Sequence, residues 1–290
     1  YTGWAALGLA SAGRDLKSVG RRASLISYVR ASAGSSDPGA LERTILVVSA
    51  AGVPARSFAG HNLVAELLRD VRADGSIHGQ VNWTAFGVLA LRGAGAGVPA
   101  RMLAWLAVQQ DRDGGFSFAG RGGASDVDDT GAALQALAAD RAASAVRRQA
   151  VSFLRRQQNR DGGLPSLPGM SSNSQSTAWA VQGLLAAGVA PSEFRRAGGP
   201  SPLDYLRSLA GSNGAIAYAR GMSQTPVWVT GEALAALDGR PLPLATPKPV
   251  ATLKPLATPK PRPPAESPLQ GLAGLLGALT ALVLAPTGLG

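Results

Sequence analysis

The chain contains no cysteine. Disulfides, thiolate nucleophiles and Cys-ligated metals are therefore excluded. Histidine is almost absent too: only His61 and His78 are present, too few for a His-rich metal centre, and no metal or other cofactor is expected. Aromatic residues make up 5% of 290, so Ala, Leu and Val must build the core, a composition that favours helices. Lysine is scarce: Lys17, Lys248, Lys254 and Lys260 are the only four among 28 basic residues, and the last three lie in the tail. The net charge of +10 is thus carried by Arg spread along the chain, often as pairs such as Arg147-Arg148, Arg155-Arg156 and Arg195-Arg196. A nucleic-acid surface would cluster its cations with stacking aromatics. This spread reads instead as solvated helix faces, so no nucleic-acid partner is expected; affinity for an anionic wall polymer or membrane surface is the alternative. Neither an initiator Met nor a signal peptide stands at the start, where Tyr1 already lies inside a repeat. The chain accordingly reads as a fragment or a processed form, and the missing signal says nothing about secretion.

What is present is a repeat. Six Ala-rich apolar runs open on a threonine, at Thr2, Thr44, Thr84, Thr130, Thr177 and Thr230, spaced 42, 40, 46, 47 and 53 residues apart. A period in this range marks supersecondary units that cannot bury their apolar faces alone. Each run keeps helical spacing and Thr suits a first turn. A Gly/Pro corner usually follows, twice as the string AGVPAR (51–56 and 96–101). Second, Arg- and Gln-bearing amphipathic helices are expected at about 16–33, 56–71, 100–110, 142–158 and 202–209. Turns come next at Asp74-Gly75, Asp113-Gly114-Gly115, Asp161-Gly162-Gly163 and Asn213-Gly214. The unit is an inner helix, a corner, an outer helix, a turn and a return loop. Six inner runs face five outer ones, so an outer helix is expected before Thr2. Such hairpins form an antiparallel helical array, and periodicity leaves open whether it closes into an α/α toroid or spirals as a solenoid.

After Leu237 the composition changes. Leu244–Pro261 holds the copies LATPKP, VATLKP and LATPKP, which predict an extended polyproline II stalk over 240–268 reaching on the order of 80 Å. An apolar run of 17 residues at 269–285 follows, at the short limit for a membrane span. The reading is a toroid domain over 1–239, the stalk, and a membrane anchor over 269–290; docking of that last segment on the helical domain is the alternative.

The sharpest chemical string is Asp126-Val127-Asp128-Asp129-Thr130. Three carboxylates within four residues at a helix start repel one another, and repulsion with burial raises pKa values until a carboxyl can serve as a general acid. Acids there also complement the helix dipole, and Asp129 or Thr130 would then be a simple cap. The corresponding positions elsewhere hold Asn82-Trp83, Gln175-Ser176 and Val229, so this cluster occurs in one repeat. A second constellation is aromatic: Trp4, Phe86 and Trp179 stand two past their Thr, and Trp83 and Trp228 just before theirs. On inner helices these rings would either line a central cavity and hold an isoprenoid or a cation, or plug it as core.

Asp126–Thr130 resembles the DxDD motif of squalene–hopene cyclases and other class II terpene cyclases. The strings QQDRDGGFSF (109–118) and QQNRDGGLPS (157–166) are similar to their glutamine–tryptophan repeat, with Phe116 and Leu164 in place of Trp. The resemblance covers roughly 1–239 and extends to the terpene cyclase/protein prenyltransferase superfamily. It implies an all-α, closed α/α toroid, with Asp128 as the residue matching the proton donor and Asp126 and Asp129 tuning it. Those cyclases resemble two fused toroids with the reaction cavity at their junction, whereas one is read here. Prenyltransferase zinc sites and thioester domains both need the absent Cys. The leading expectation is therefore a toroid exported and held at a bacterial cell surface, binding an apolar isoprenoid-like molecule or a cell-envelope component without catalysis through Trp4, Trp83, Phe86, Trp179 and Trp228. The alternative is a cyclase-like enzyme acting through Asp128.

Overall fold

The computed structural model describes residues 2–20, 23–30 and 33–244. The expected apolar segment 269–290, and the stalk beyond 244, lie outside the described residues. Eleven α-helices occur among those described, with no strand, only isolated bridges. In chain order they are α1 (Thr2–Ser11), α2 (Leu25–Arg30), α3 (Pro38–Ala50), α4 (Leu63–Asp70), α5 (Val81–Gly93) and α6 (Ala100–Val108). They continue with α7 (Val127–Leu137), α8 (Ser144–Gln157), α9 (Ser174–Ala186), α10 (Pro202–Ser208) and α11 (Pro226–Leu237). No helix among the described residues is long and apolar enough to cross a membrane.

Odd-numbered helices carry the Thr-led runs and form the inner layer. α1 packs on α3, α3 on α5, α5 on α7, α7 on α9 and α9 on α11, and α11 packs back on α1. The ring is closed. The even-numbered helices lie outside, each against the inner helix that precedes it. Inner helices are buried nearly all round, which is why their sequences are Ala-rich, whereas α8 buries only Ala150, Phe153 and Leu154 and turns its Arg residues to solvent. Neighbouring inner helices run in the same direction: Asn82 at the start of α5 reaches Asp129 at the start of α7, and Arg92 near the end of α5 reaches Ala136 near the end of α7.

Two seams bring backbones into contact. A Cβ on Gly8 of α1 would lie 2.6 Å from Cα of Gly231 in α11, and one on Gly131 of α7 would lie 2.5 Å from the Trp179 carbonyl in α9. Only glycine permits that approach.

Thr2 stands first in α1, but the other five threonines do not open their helices. Thr84, Thr130 and Thr177 sit at the fourth residue of α5, α7 and α9, one turn inside. There each hydroxyl accepts the backbone N–H of a return-loop residue, Ile77, Phe116 and Leu164 respectively, at 2.9 Å, and Thr230 does the same for Ile216. In these four repeats the Thr is the peg that ties the return loop to its inner helix. Capping falls to Asp37, Asp126 and Asn173, whose side chains accept N–H groups of the first turn. The glutamine strings are structural as well. Gln110 donates to the carbonyls of Gly114 and Val146, and Gln158 to those of Gly162 and Phe194, so each locks its turn onto the next outer segment.

Outer helices are shorter than their sequence pattern. α2 covers six residues, and the 56–71 stretch splits into a short 3-10 turn (Ala55–Ser57) and α4, interrupted by Gly60 with φ of 85° and restarted by the Asn62 cap. Residues 240–244, expected to begin the stalk, pack on the toroid. Arg240 donates to the carbonyls of Ala10 and Ser11, the Leu242 N–H donates to Gln135 Oε1 at 2.8 Å, and Leu242 and Leu244 are buried.

Candidate functional site

The N-terminal ends of α5, α7 and α9 share one face of the ring. The return loop of the following repeat crosses above each: Phe118 O accepts from Val81 N, Ser166 O from Val127 N and Tyr218 O from Ser174 N. On these loops Phe118, Leu167, Met170 and Met222 are exposed, forming an apolar crown around the end where the acidic triplet lies.

Asp126 caps α7, its Oδ1 accepting Asp129 N at 2.7 Å. Asp129 is buried, and its Oδ1 accepts Asn82 Nδ2 from α5 at 2.7 Å. The carboxyls of Asp126 and Asp129 are also hydrogen-bonded to each other, so one must carry a proton. Burial, then the charge of Asp129, pushes Asp126 up to about 9, which favours its protonated form. Burial also raises Asp129, against the opposing hydrogen bonds from Asp126 and Asn82. Asp128 points elsewhere, toward α9 and α11. Burial raises it to about 7, Asp129 adds to the rise, and the Ser176 hydroxyl pulls the other way. Its Oδ1 is buried with no hydrogen-bond partner, although the residue is only half-buried. A carboxyl in that state holds a proton near neutral pH and has an oxygen uncommitted to the protein.

Three of the five aromatics meet. Trp4, Phe86 and Trp179, from α1, α5 and α9, stack edge-to-face around the ring axis, with centroids 5.8 Å (Trp4–Phe86), 5.3 Å (Trp4–Trp179) and 5.3 Å (Phe86–Trp179) apart. Trp179 and Phe86 are buried and Trp4 is half-buried, so the trio fills the upper middle of the ring. Trp228 joins from α11 through Glu232, donating Nε1 to its Oε1 at 2.6 Å. Trp83 is not part of this group; it stands a turn nearer the start of α5 and stacks on His78 at 5.2 Å.

The comparisons with known proteins come to the same architecture. The family model of the squalene-hopene cyclase C-terminal domain matches residues 85–217, a span that contains the whole acidic triplet. That match covers less than half of the chain, and the solved structures similar to it share the α/α toroid fold. Solved structures similar to the toroid include ent-copalyl diphosphate synthase from Streptomyces platensis, at a TM-score of 0.56 and 18% identity over 82% of this chain and 49% of that one. This chain thus spans about half of that protein. The type II terpene cyclase MstE from Scytonema is similar in its apo form at a TM-score of 0.62. A variant of MstE in complex with geranylgeranyl dihydroxybenzoate, its substrate, gives 0.63; both are 15% identical over 82% of this chain and 86% of theirs. No curated protein sequence matches the chain.

The toroid also assembles residues that sequence reading passed over. Glu232 is 3% exposed at the ring centre; burial drives its carboxyl well above the usual range, Trp228 and Trp179 oppose this, and the charge of Asp128 adds to it. Tyr218 is raised by burial and by Asp128, which places its phenol at the same mouth. Ser176 and Asn82 complete the surroundings of the triplet. Glu232 had one legible signal, an acid at the two-past-Thr position of an Ala-rich inner run. Asn82 had none, because its partner is 47 residues away.

Proposed function

We propose that the protein is a class II terpene-cyclase-like enzyme in which Asp128 protonates the terminal alkene of an apolar polyprenyl chain. The observation that carries this is Asp128 itself, a carboxyl lifted to about 7, with an unpartnered Oδ1, beneath an apolar rim. In the step, the Asp128 O–H bond breaks, a C–H bond forms at the alkene, and the tertiary cation left on the chain is paired with the new carboxylate. A raised pKa secures the proton but weakens the acid, so cation stabilisation must supply much of the barrier reduction. The edge-to-face cluster of Trp4, Phe86 and Trp179, with Trp228 beside it, offers ring faces of the right kind. The presence of one toroid is no obstacle, since a type II terpene cyclase chain is matched over 86% of its own length.

A second reading, binding without catalysis, is favoured by one observation: the same aromatic trio packs the middle of the ring as a core would. The stalk and apolar segment read from the sequence would then hold a ligand-binding module at the cell surface.

Incubation with squalene, geranylgeranyl diphosphate and geranylgeranyl dihydroxybenzoate, followed by mass spectrometry of the products, separates the two. Turnover lost by at least about 10³-fold in Asp128→Asn, with unfolding unchanged, supports the enzyme. Wild-type turnover should also fall as pH rises through about 7, as Asp128 ionises. If the wild-type protein converts none of these chains, the cyclase reading is wrong and an apolar molecule retained by the native protein is expected instead.

A further inference from the structure

The capping of α7 and of α9 can be compared residue by residue. In α9, Asn173 Oδ1 accepts Ser176 N at 2.8 Å and Asn173 Nδ2 donates to Ser176 Oγ at 3.1 Å. In α7, Asp126 and Asp129 occupy the same two places: Asp126 Oδ1 accepts Asp129 N at 2.7 Å, and a proton on Asp126 would do the work of the amide hydrogen toward the Asp129 carboxyl. Neutral residues therefore suffice for the cap, and the acid pair serves something else. Asp129 is the acceptor toward both of its side-chain partners, the proton of Asp126 and, from across the α5–α7 seam, Nδ2 of Asn82 at 2.7 Å. Both donors favour the ionised form of Asp129 and oppose the rise that its burial imposes.

We infer that Asn82 is a positioning residue: by pinning Asp129 as the ionised member of the triplet, it makes the adjacent Asp128 hold its proton more tightly. The inference deepens the reading of Asp128 as an acid and rests on it for its functional meaning. The groups facing Asp128 are Asp126 and Asp129 on α7, the Ser176 hydroxyl on α9, Glu232 on α11, and Tyr218 on the loop before α11. Burial favours the neutral forms of Asp126, Glu232 and Tyr218; it raises Asp129 too, but there two side-chain donors oppose it, and the charge of Asp129 is the one that raises Asp128. Asp129 in turn is faced by Asn82 from α5 and Asp126 from its own helix.

The test is a titration of the aspartate carboxyl carbons by 13C NMR in the full chain, with the Asp128 signal assigned by its loss in Asp128→Asn. Asn82→Leu, close in size but without a donor, should lower the Asp128 midpoint by about one pH unit, a tenfold loss of proton affinity. Asp129→Asn should do the same, and the double variant Asn82→Leu/Asp129→Asn should fall no further, because both act through one charge. Where Asn82→Leu disturbs the seam, Asn82→Ala adds no bulk and carries the same expectation. An unchanged midpoint in a folded Asn82 variant, an unchanged midpoint in Asp129→Asn, or a full second drop in the double variant overturns the inference. The readout does not need turnover. Midpoints that shift as expected in a protein that converts no polyene would keep the role of Asn82 and reject the cyclase.

Discussion

Replacing Asp126 by Asn should stabilise the protein, and only above acid pH. In the native state Asp126 keeps its proton up to about 9, whereas in the unfolded chain it ionises near 3.8. Between those values the native state binds more protons than the unfolded state, so this group's contribution to stability falls as pH rises. At pH 7 the gap from 3.8 amounts to about 4 kcal/mol at 1.36 kcal/mol per pH unit, and residual hydration of the half-buried carboxyl reduces that to about 2–4 kcal/mol. Asparagine avoids the penalty without losing the contacts. Asn173 demonstrates that its Oδ1 caps the helix and its Nδ2 donates to the residue three along, and Asn and Asp are equivalent at N-caps. Urea unfolding of wild type and Asp126→Asn at pH 4, 5.5, 7 and 8 measures the difference. It should be less than about 1 kcal/mol at pH 4 and grow with pH toward the full value. A variant no more stable than wild type at pH 7, or a gain independent of pH, would refute the claim that Asp126 carries the shared proton.

The scaffold gives two further expectations. Thr177→Val should cost about 1–3 kcal/mol, because the Leu164 N–H that the hydroxyl accepts at 2.9 Å is buried and has no substitute, while Thr177→Ser should retain most of the stability; thermal unfolding reads both. Gly8→Ala and Gly131→Ala should each destabilise by about 1–3 kcal/mol or more through backbone overlap at their seams, but only the change at Gly131 should move the Asp128 carboxyl titration.

The ring was legible because its inner helices announce themselves as apolar runs with one polar peg each. The helix starts were not, since Thr has the same donor and acceptor whether it caps a first turn or anchors a loop one turn further in. The Thr84 hydroxyl shows the second use, bonding Ile77 N and Gln80 O at once. Closure was beyond periodicity alone. It depends on α1 meeting α11 through Gly8 and Gly231, a contact across more than two hundred residues. The acidic triplet stood out in the sequence as a local charge anomaly. Glu232 and Asn82 did not, because a polar residue on a helix is ordinarily read as facing solvent. On an inner helix of this toroid most faces are turned away from solvent, and a polar side chain there is hydrogen-bonded across a seam, as Asn82 is, or pushed toward its neutral form, as Glu232 is.

That constraint ties the scaffold to the chemistry. Gly131 follows directly on the peg Thr130 and lets the backbone of α7 lie against Trp179 O in α9. The approach that Gly131 allows also sets the distance between Asp128 and the Ser176 hydroxyl, and fixes Trp179 against Trp4 and Phe86. A looser α7–α9 seam would admit water between the helix ends. Desolvation is the largest cause of the Asp128 shift, so water there would let the carboxyl ionise at a lower pH and give up its proton before any ligand arrived. The close seam and the retained proton are therefore two consequences of one glycine. Two interfaces further round the ring the Gly8–Gly231 seam is packed just as tightly, but the α11 position matching Asp128 carries Trp228. Tight packing alone does not make an acid site; it needs the carboxyl, and the carboxyl needs the packing.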